Sequence, residues 1–238
     1  MNFIKTNKIG NNFSHGVNPI IGEGVKIGNN VKLGHNVIIE GNVTISDDCN
    51  IFSGCCIGSP PQHTSFKDVK KGLIVIGKGS YLREYVTVHL PLTKTACTLI
   101  GEGCFIMNHV NIGHDVIVGN NVTISNGAAV GGHSKIDDYS NLGLNCSIHQ
   151  RTFLGAASMI GMGSQVRKNV PPFTVLKNNK SGFNLIGAQR FSENKCINSN
   201  LIVQCFYDLD NALTLSKEVH VLHQYYKNFN HGELKCQL

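Results

Sequence analysis

The sequence predicts an all-β solenoid with a small α-helical unit at its C-terminal end, and three observations predict it. Aliphatic residues fall at every sixth position from Ile100 to Val166: Ile100, Ile106, Ile112, Val118, Ile124, Val130, Ile136, Leu142, Ile148, Leu154, Ile160 and Val166. The same ladder runs earlier through Ile21, Ile27, Leu33, Ile39, Ile45, Ile51 and Ile57, and again through Ile76, Leu82 and Val88. Gly22, Gly28, Gly34, Gly58, Gly77, Gly101, Gly119 and Gly155 each follow a ladder residue directly, as corners needing positive φ would require. A helix recurs at 3.6 and a flat strand at 2, so a strict period of six means short straight segments separated by regular corners. Three such hexapeptides, 18 residues, close one triangular coil, with one inward aliphatic side chain per segment filling the prism.

The polar Met1–Asn12 segment has no signal-peptide core, and no apolar run approaches the roughly 18 residues of a membrane span, which predicts a cytoplasmic protein. The ladder is interrupted twice. Between Ile57 and Ile76 lie Ser59-Pro60-Pro61-Gln62-His63 and then Lys67, Lys70 and Lys71, over an interval that is no multiple of six, so the chain leaves the coil and returns in a new phase. Between Val88 and Ile100, Lys94 takes the ladder position and Pro91 breaks the backbone, a second excursion. Loops on a rigid repeat scaffold are where binding groups sit. After Val166 the ladder stops at Pro171-Pro172, dividing the chain into a hexapeptide-repeat domain, 1–172, and a mostly helical extension, 173–238. Within the extension, Ser192 with Glu193 starts a helix to about Phe206, with Ile197, Leu201 and Cys205 on one face. Ser216 starts another, carrying Val219, Leu222, Tyr225, Tyr226 and Phe229 and ending at Gly232.

Composition narrows the function. Nine cysteines, odd in number and without a Cys-x-x-Cys pair, with Cys49, Cys55, Cys104 and Cys146 at ordinary coil positions, predict reduced small hydrophobes and no cysteine zinc site. A net charge of +6 over 238 residues suits an acidic partner or a diphosphate-bearing substrate; the lack of basic clusters interleaved with aromatics speaks against nucleic acid.

The histidines carry the chemistry. His114 follows Ile112 by two, His133 follows Val130 by three and His149 follows Ile148 by one, so all three line one edge of the prism on successive coils. Two readings compete. His114 beside Asp115 fits a general base whose tautomer the carboxylate fixes. A metal is the other, since γ-class carbonic anhydrases bind zinc on hexapeptide prisms through two histidines five apart and a third about 36 residues upstream. His109 and His114 have that spacing, but Leu73 stands at the third position, which predicts no metal.

Longer motifs surround these residues: Met107-Asn108-His109-Val110-Asn111-Ile112-Gly113-His114-Asp115, Gly131-Gly132-His133, Ile148-His149-Gln150 and Asn169-Val170-Pro171-Pro172-Phe173. With Arg83–His89, Asn184-Leu185-Ile186-Gly187 and Arg190-Phe191-Ser192, over roughly residues 15 to 205, the chain resembles the acyl-carrier-protein:UDP-N-acetylglucosamine O-acyltransferases of lipid A synthesis. The resemblance implies a left-handed parallel β-helix, an exception to right-handed crossovers, working as a homotrimer with sites between subunits. It implies that His114 is the base, Asp115 its orienting carboxylate, and Gly132 N–H the oxyanion donor. His133 and Gln150 fall on groups that hold the sugar and acyl chain, and His149 on one that contacts the nucleotide sugar. Asn184 and Arg190 fall near residues that meet the acyl pantetheine and the UDP diphosphate. Met162 falls at the floor of the acyl groove, where the family has a glycine, which predicts a donor shorter than fourteen carbons.

Two departures bear on the acceptor. Asn111 replaces a histidine three before the base, and Gln62-His63 replaces Gln-Asp in the sugar-binding loop. The expected function is transfer of a (3-hydroxy)acyl group from an acyl-carrier-protein thioester to a UDP-amino-sugar hydroxyl. The alternative is N-acylation of a nucleotide amino sugar for surface polysaccharide, from acyl carrier protein or coenzyme A. A metal-binding or non-catalytic β-helix is the third reading. The thioester is a co-substrate, and no cofactor is expected.

Overall fold

A computed structural model describes residues 3–64, 72–178, 180–195 and 202. Among them the chain winds into a triangular prism of three sheets of eight, seven and ten strands. Face 1 begins at Ile20–Ile21, face 2 at Lys26–Ile27, and face 3 at Ser14–His15 and Lys32–Leu33, and successive hexapeptides visit the faces in that order. Strands pair in parallel with the coil above and below: Ile112 with Val130 on face 1, Val118 with Ile136 on face 2, Ile106 with Ile124 on face 3. The ladder is the core, with each of its residues from Ile100 to Val166 buried.

The single inward residue per segment expected above is corrected to two. The residue two before each ladder position also points inward, as in Val25, Val31, Val37, Val43, Cys49, Cys55, Cys104, Val110, Val116 and Val122, then Ala128, Ser134, Ser140 and Cys146. These are smaller residues, because they fill the prism corner while the ladder residue fills its centre. Their polar atoms are bonded: Ser140 Oγ donates to Gly155 O at 3.1 Å, and Cys104 Sγ to Gly119 O at 3.1 Å. Burial pushes the Cys104 and Cys55 thiols up to about 12 and those of Cys49 and Cys146 to about 11, so these are inert packing groups. Cys97, half-buried at the start of a face 2 strand, is disulfide-bonded instead, against the expectation of reduced thiols throughout.

Corner chemistry is also corrected. The glycines that follow ladder residues do not supply positive φ, Gly58 excepted; a Cβ on Gly101, for example, would lie 2.5 Å from Gly119 O, so they are small because coils stack there. Left-handed backbone occurs three residues after the ladder position: Asn30, His109, Asp115, Asn121, His133, Tyr139, Asn145 and Arg151 all have φ between 52° and 62°. Because the corner repeats with the coil, Asp115, His133 and Arg151 stack along one edge.

Both excursions leave the prism at the same place. The face 1 strands Cys56–Ser59 and Thr87–His89 precede the two excursions, and the chain rejoins face 2 at Leu73–Ile76 and Cys97–Ile100. The insertions appear as longer closures: Ile45 pairs with Ile76, 31 residues on, and Ile76 with Ile100, 24 on, where uninterrupted coils pair 18 apart. The edge between faces 1 and 2 therefore carries both loops.

Beyond Pro171-Pro172, face 3 continues through Thr174–Lys177, parallel to Met159–Ile160, and turns back antiparallel through Lys180–Phe183. Helix α1 spans Leu185–Lys195. The start expected at Ser192 is corrected to Leu185: Asn184 caps the helix, its Oδ1 accepting from Gly187 N at 3.1 Å and its carbonyl from Ala188 N at 2.9 Å. Phe191 anchors α1 on the edge between faces 2 and 3, against Phe173 and Tyr139 at ring distances of 5.2 and 5.5 Å. The second expected helix lies outside the described residues. Among those described, no helix is long and apolar enough to cross a membrane.

Candidate active site

The edge between faces 1 and 2 gathers the imidazoles. His114 sits two after its ladder residue and Asp115 three after, so the left-handed φ of 60° at Asp115 turns its carboxylate back onto the preceding ring. His114 Nδ1 lies 2.8 Å from Asp115 Oδ2, both side chains nearly buried. An ionised carboxylate only accepts, so Nδ1 carries the proton and Nε2 presents a lone pair. Oδ2 also accepts from Leu92 N at 3.0 Å, and Asp115 N donates to Thr98 Oγ1 at 3.0 Å, which in turn donates to His89 O at 2.9 Å. Leu92 of the second loop thus holds the carboxylate, and Thr98 at the start of the next strand holds the Asp115 backbone.

One coil on, Gly132 stacks directly over His114. A Cβ there would stand 2.4 Å from His114 Cε1 and 2.5 Å from Nε2, so only glycine lets the backbone approach the basic nitrogen. His133 follows, its ring 4.9 Å from that of His114 and edge-on, its Nδ1 3.9 Å from Asp115 Oδ2. Burial pushes the His133 imidazole below its ordinary pKa, with the Asp115 carboxylate opposing. On the first loop His63 brings a third ring edge-on to His114 at 5.6 Å, with Gln62 exposed beside it. His149 and Gln150 continue the same edge on the next coil, the His149 Nδ1 facing Gln150 O at 3.0 Å.

Asn111, on the face 1 strand before His114, is held from both sides: its Oδ1 accepts from Thr87 Oγ1 at 2.9 Å and meets His89 Nε2 at 3.0 Å. His89 Nδ1 meets Pro60 O at 2.9 Å, tying the root of the first loop to the site. Thr98 and Leu92 are the site groups that pattern reading missed, and His89 entered it only within the Arg83–His89 motif, with no role assigned. Thr98 occupies the second inward position, where its small size reads as packing, and Leu92 acts through its backbone, which no side-chain pattern reveals.

Three expected residues lie elsewhere on the chain. Met162 is 68 % exposed on the edge between faces 3 and 1. Asn184 and Arg190 belong to the edge between faces 2 and 3, where the Asn184 amide donates to Ala157 O at 2.8 Å besides capping α1. One chain therefore assembles His114, Asp115, Gly132, His133, Asn111, His63, Gln62, His149 and Gln150, and leaves the other three on separate edges. His109 also leaves the group: five residues carry it to the previous corner, where it stacks on Tyr85 at 5.1 Å.

Comparison with known proteins bears on the repeats and the fold. Residues 97–132 match the family described as bacterial transferase hexapeptide (six repeats). The acyl-[acyl-carrier-protein]–UDP-N-acetylglucosamine O-acyltransferase of Nautilia profundicola is 37% identical over 149 residues, 60% of this chain and 57% of that protein. Its Synechocystis counterpart is 34% identical over 142 residues, 58% of this chain and 51% of that one. The chain thus spans a little over half the length of the curated relatives it matches. Among solved structures, the Acinetobacter baumannii LpxA superposes with a TM-score of 0.81 at 26% identity, over 96% of this chain and 95% of that one. The UDP-N-acetylglucosamine acyltransferase of Campylobacter jejuni gives 0.77 at 28% identity, over 90% and 88%. The chain is thus similar, over its repeats and over most of its fold, to UDP-N-acetylglucosamine acyltransferases. With its hexapeptide repeats and its likeness to these solved structures, the prism is a left-handed parallel β-helix.

Proposed function

We propose that this chain is an acyltransferase that moves a (3-hydroxy)acyl group from an acyl-carrier-protein thioester to a hydroxyl of a UDP-amino sugar. The observation that carries the reading is the His114–Asp115 pair, with the basic Nε2 of His114 facing the backbone of Gly132. Nε2 takes the proton of the sugar hydroxyl as its oxygen attacks the thioester carbonyl. The carbonyl oxygen becomes an oxyanion that the Gly132 N–H stabilises. Collapse expels the pantetheine thiolate, which takes the proton back from His114, and no acyl-enzyme forms. The chemistry needs no resident cofactor or metal. His133, Gln150 and His149 line the edge beyond the base and hold acceptor and acyl chain. Both substrates are soluble, and we assign the enzyme to the cytoplasm.

A homotrimer goes with this reading. Leu144 and Met162, exposed by 43 and 68 %, stack on adjacent coils of the edge between faces 3 and 1, with Tyr85, exposed by 57 %, three coils earlier on that edge. A neighbour's edge of this kind against the histidine edge would cover these side chains and bring Met162 to the acyl path. Light scattering is expected to give three times the 25.9 kDa chain mass, and a monomer at micromolar concentration overturns the assembly.

Asn111 and His63 favour a second reading, in which an amine accepts the acyl group. Asn111 offers a neutral amide already engaged with Thr87 and His89, and His63 places an imidazole where the sugar-binding loop would otherwise offer a carboxylate. An amine also needs less help from a base than a hydroxyl. One assay separates the readings: a series of acyl-carrier-protein and coenzyme A thioesters with UDP-N-acetylglucosamine and amino-sugar nucleotides, products read by mass spectrometry. Donors of about ten carbons or fewer are expected, since each methylene excluded from a groove forgoes about 0.8 kcal/mol, and Met162→Gly should shift preference upward. An unchanged length profile removes Met162 as the ruler, and no acylated nucleotide sugar overturns the function.

A further inference from the structure

We propose that His114, Asp115 and His133 also form a site for a divalent transition-metal ion such as Zn²⁺, and that its binding switches the base off. One ligand atom from each residue lies within 4.8 Å of the others, a set different from the His109–His114 pair weighed on sequence spacing. Asp115 Oδ2 is 2.8 Å from His114 Nδ1 and 3.9 Å from His133 Nδ1. Donors around a tetrahedral ion at about 2.0–2.1 Å stand roughly 3.3 Å apart, so the two separations straddle that value and small side-chain rotations suffice. The donors are two imidazoles and a carboxylate, a set that suits zinc, cobalt or nickel over magnesium or calcium.

Support behind the ligands is already in place. Leu92 N holds the carboxylate oxygen, and Gly132 backs the His114 ring. The His133 side chain, 30 % exposed, marks the open side, where water or His63 completes the shell.

The chemical consequence follows from which nitrogen is used. His114 faces Asp115 through Nδ1, so an ion shared with that carboxylate displaces the Nδ1 proton, and the neutral ring takes a proton at Nε2. The nitrogen that should accept the nucleophile's proton is then a donor. The ion is an inhibitor here, and the catalytic reading stands without it.

The binding test uses the full chain without substrate. Titration with Co²⁺, followed by its visible ligand-field absorption, and with Zn²⁺ by calorimetry is expected to give one saturable tetrahedral site per chain. His133→Asn, chosen because asparagine tolerates positive φ, and Asp115→Asn should each weaken it by about tenfold or more while thermal melts show a folded protein. No saturable binding at micromolar metal, or binding that neither variant weakens, overturns the proposal. The inhibition arm rests on the acyltransferase reading. There, Zn²⁺ should abolish turnover and a chelator restore it; metal binding without any acyl transfer counts against that reading, and turnover untouched by bound Zn²⁺ counts against the switch.

Discussion

Replacing His114 with alanine is expected to lower kcat by about 10²- to 10⁴-fold, the range of a lost general base, while the melting temperature stays close to that of the parent. The two halves of this expectation come from different features. The ring's chemical partner is Asp115, and its neighbours are other edge groups, His63, Gly132 and His133. The prism core is filled by the ladder and the residues two before it, and His114 belongs to neither. Removing the ring therefore takes away the proton acceptor and little of the packing. Steady-state kinetics at saturating thioester and acceptor, beside a thermal melt, checks it. Activity within a few-fold of the parent would take His114 out of the mechanism.

Gly132→Ala should come next in size, at about 10²-fold in kcat, because displacing a catalytic group by about 1 Å can cost that much. The added methyl would lie 2.4 Å from Cε1 and 2.5 Å from Nε2 of His114, well inside contact distance, so ring or backbone must move. The φ at Gly132 is not in the left-handed region, so backbone strain does not contribute. The loss should appear with all acceptors alike, since what moves is the base and the oxyanion donor together. A crystal structure of the variant with an undisplaced His114 ring, or unchanged kcat, rules out this account.

Much of this architecture was legible in the sequence, because a period of six has one simple geometric meaning. The ladder from Ile100 to Val166, both excursions and the shared edge of His114, His133 and His149 follow from spacing alone. What escaped did so for physical reasons. The second inward position accepts valine, cysteine, serine, threonine and alanine alike, so it carries no hydrophobic signal, and Thr98 was hidden in it. Positive φ falls on residues as different as Asn121, His133 and Tyr139, so composition does not mark the corners. Helix α1 starts at Leu185 because Asn184 caps it, in a stretch where Gly187 weakens helix propensity. Asn184, Arg190 and Met162 show the limit of a linear motif, which records neighbours of a site without saying on which edge they sit.

The two excursions have a consequence for folding. Every coil closes on the one before it, so contacts are near in sequence and the entropic penalty of closure is nearly uniform along the chain. By a logarithmic loop law, the 31-residue closure that joins Ile45 to Ile76 costs only about 0.5 kcal/mol more than an 18-residue coil. Winding can therefore begin in the uninterrupted coils from Ile100 onward and propagate toward the N-terminal end with hardly a pause at the loops. The edge that carries the chemistry is then also the edge where the chain admits extra sequence at little entropic penalty.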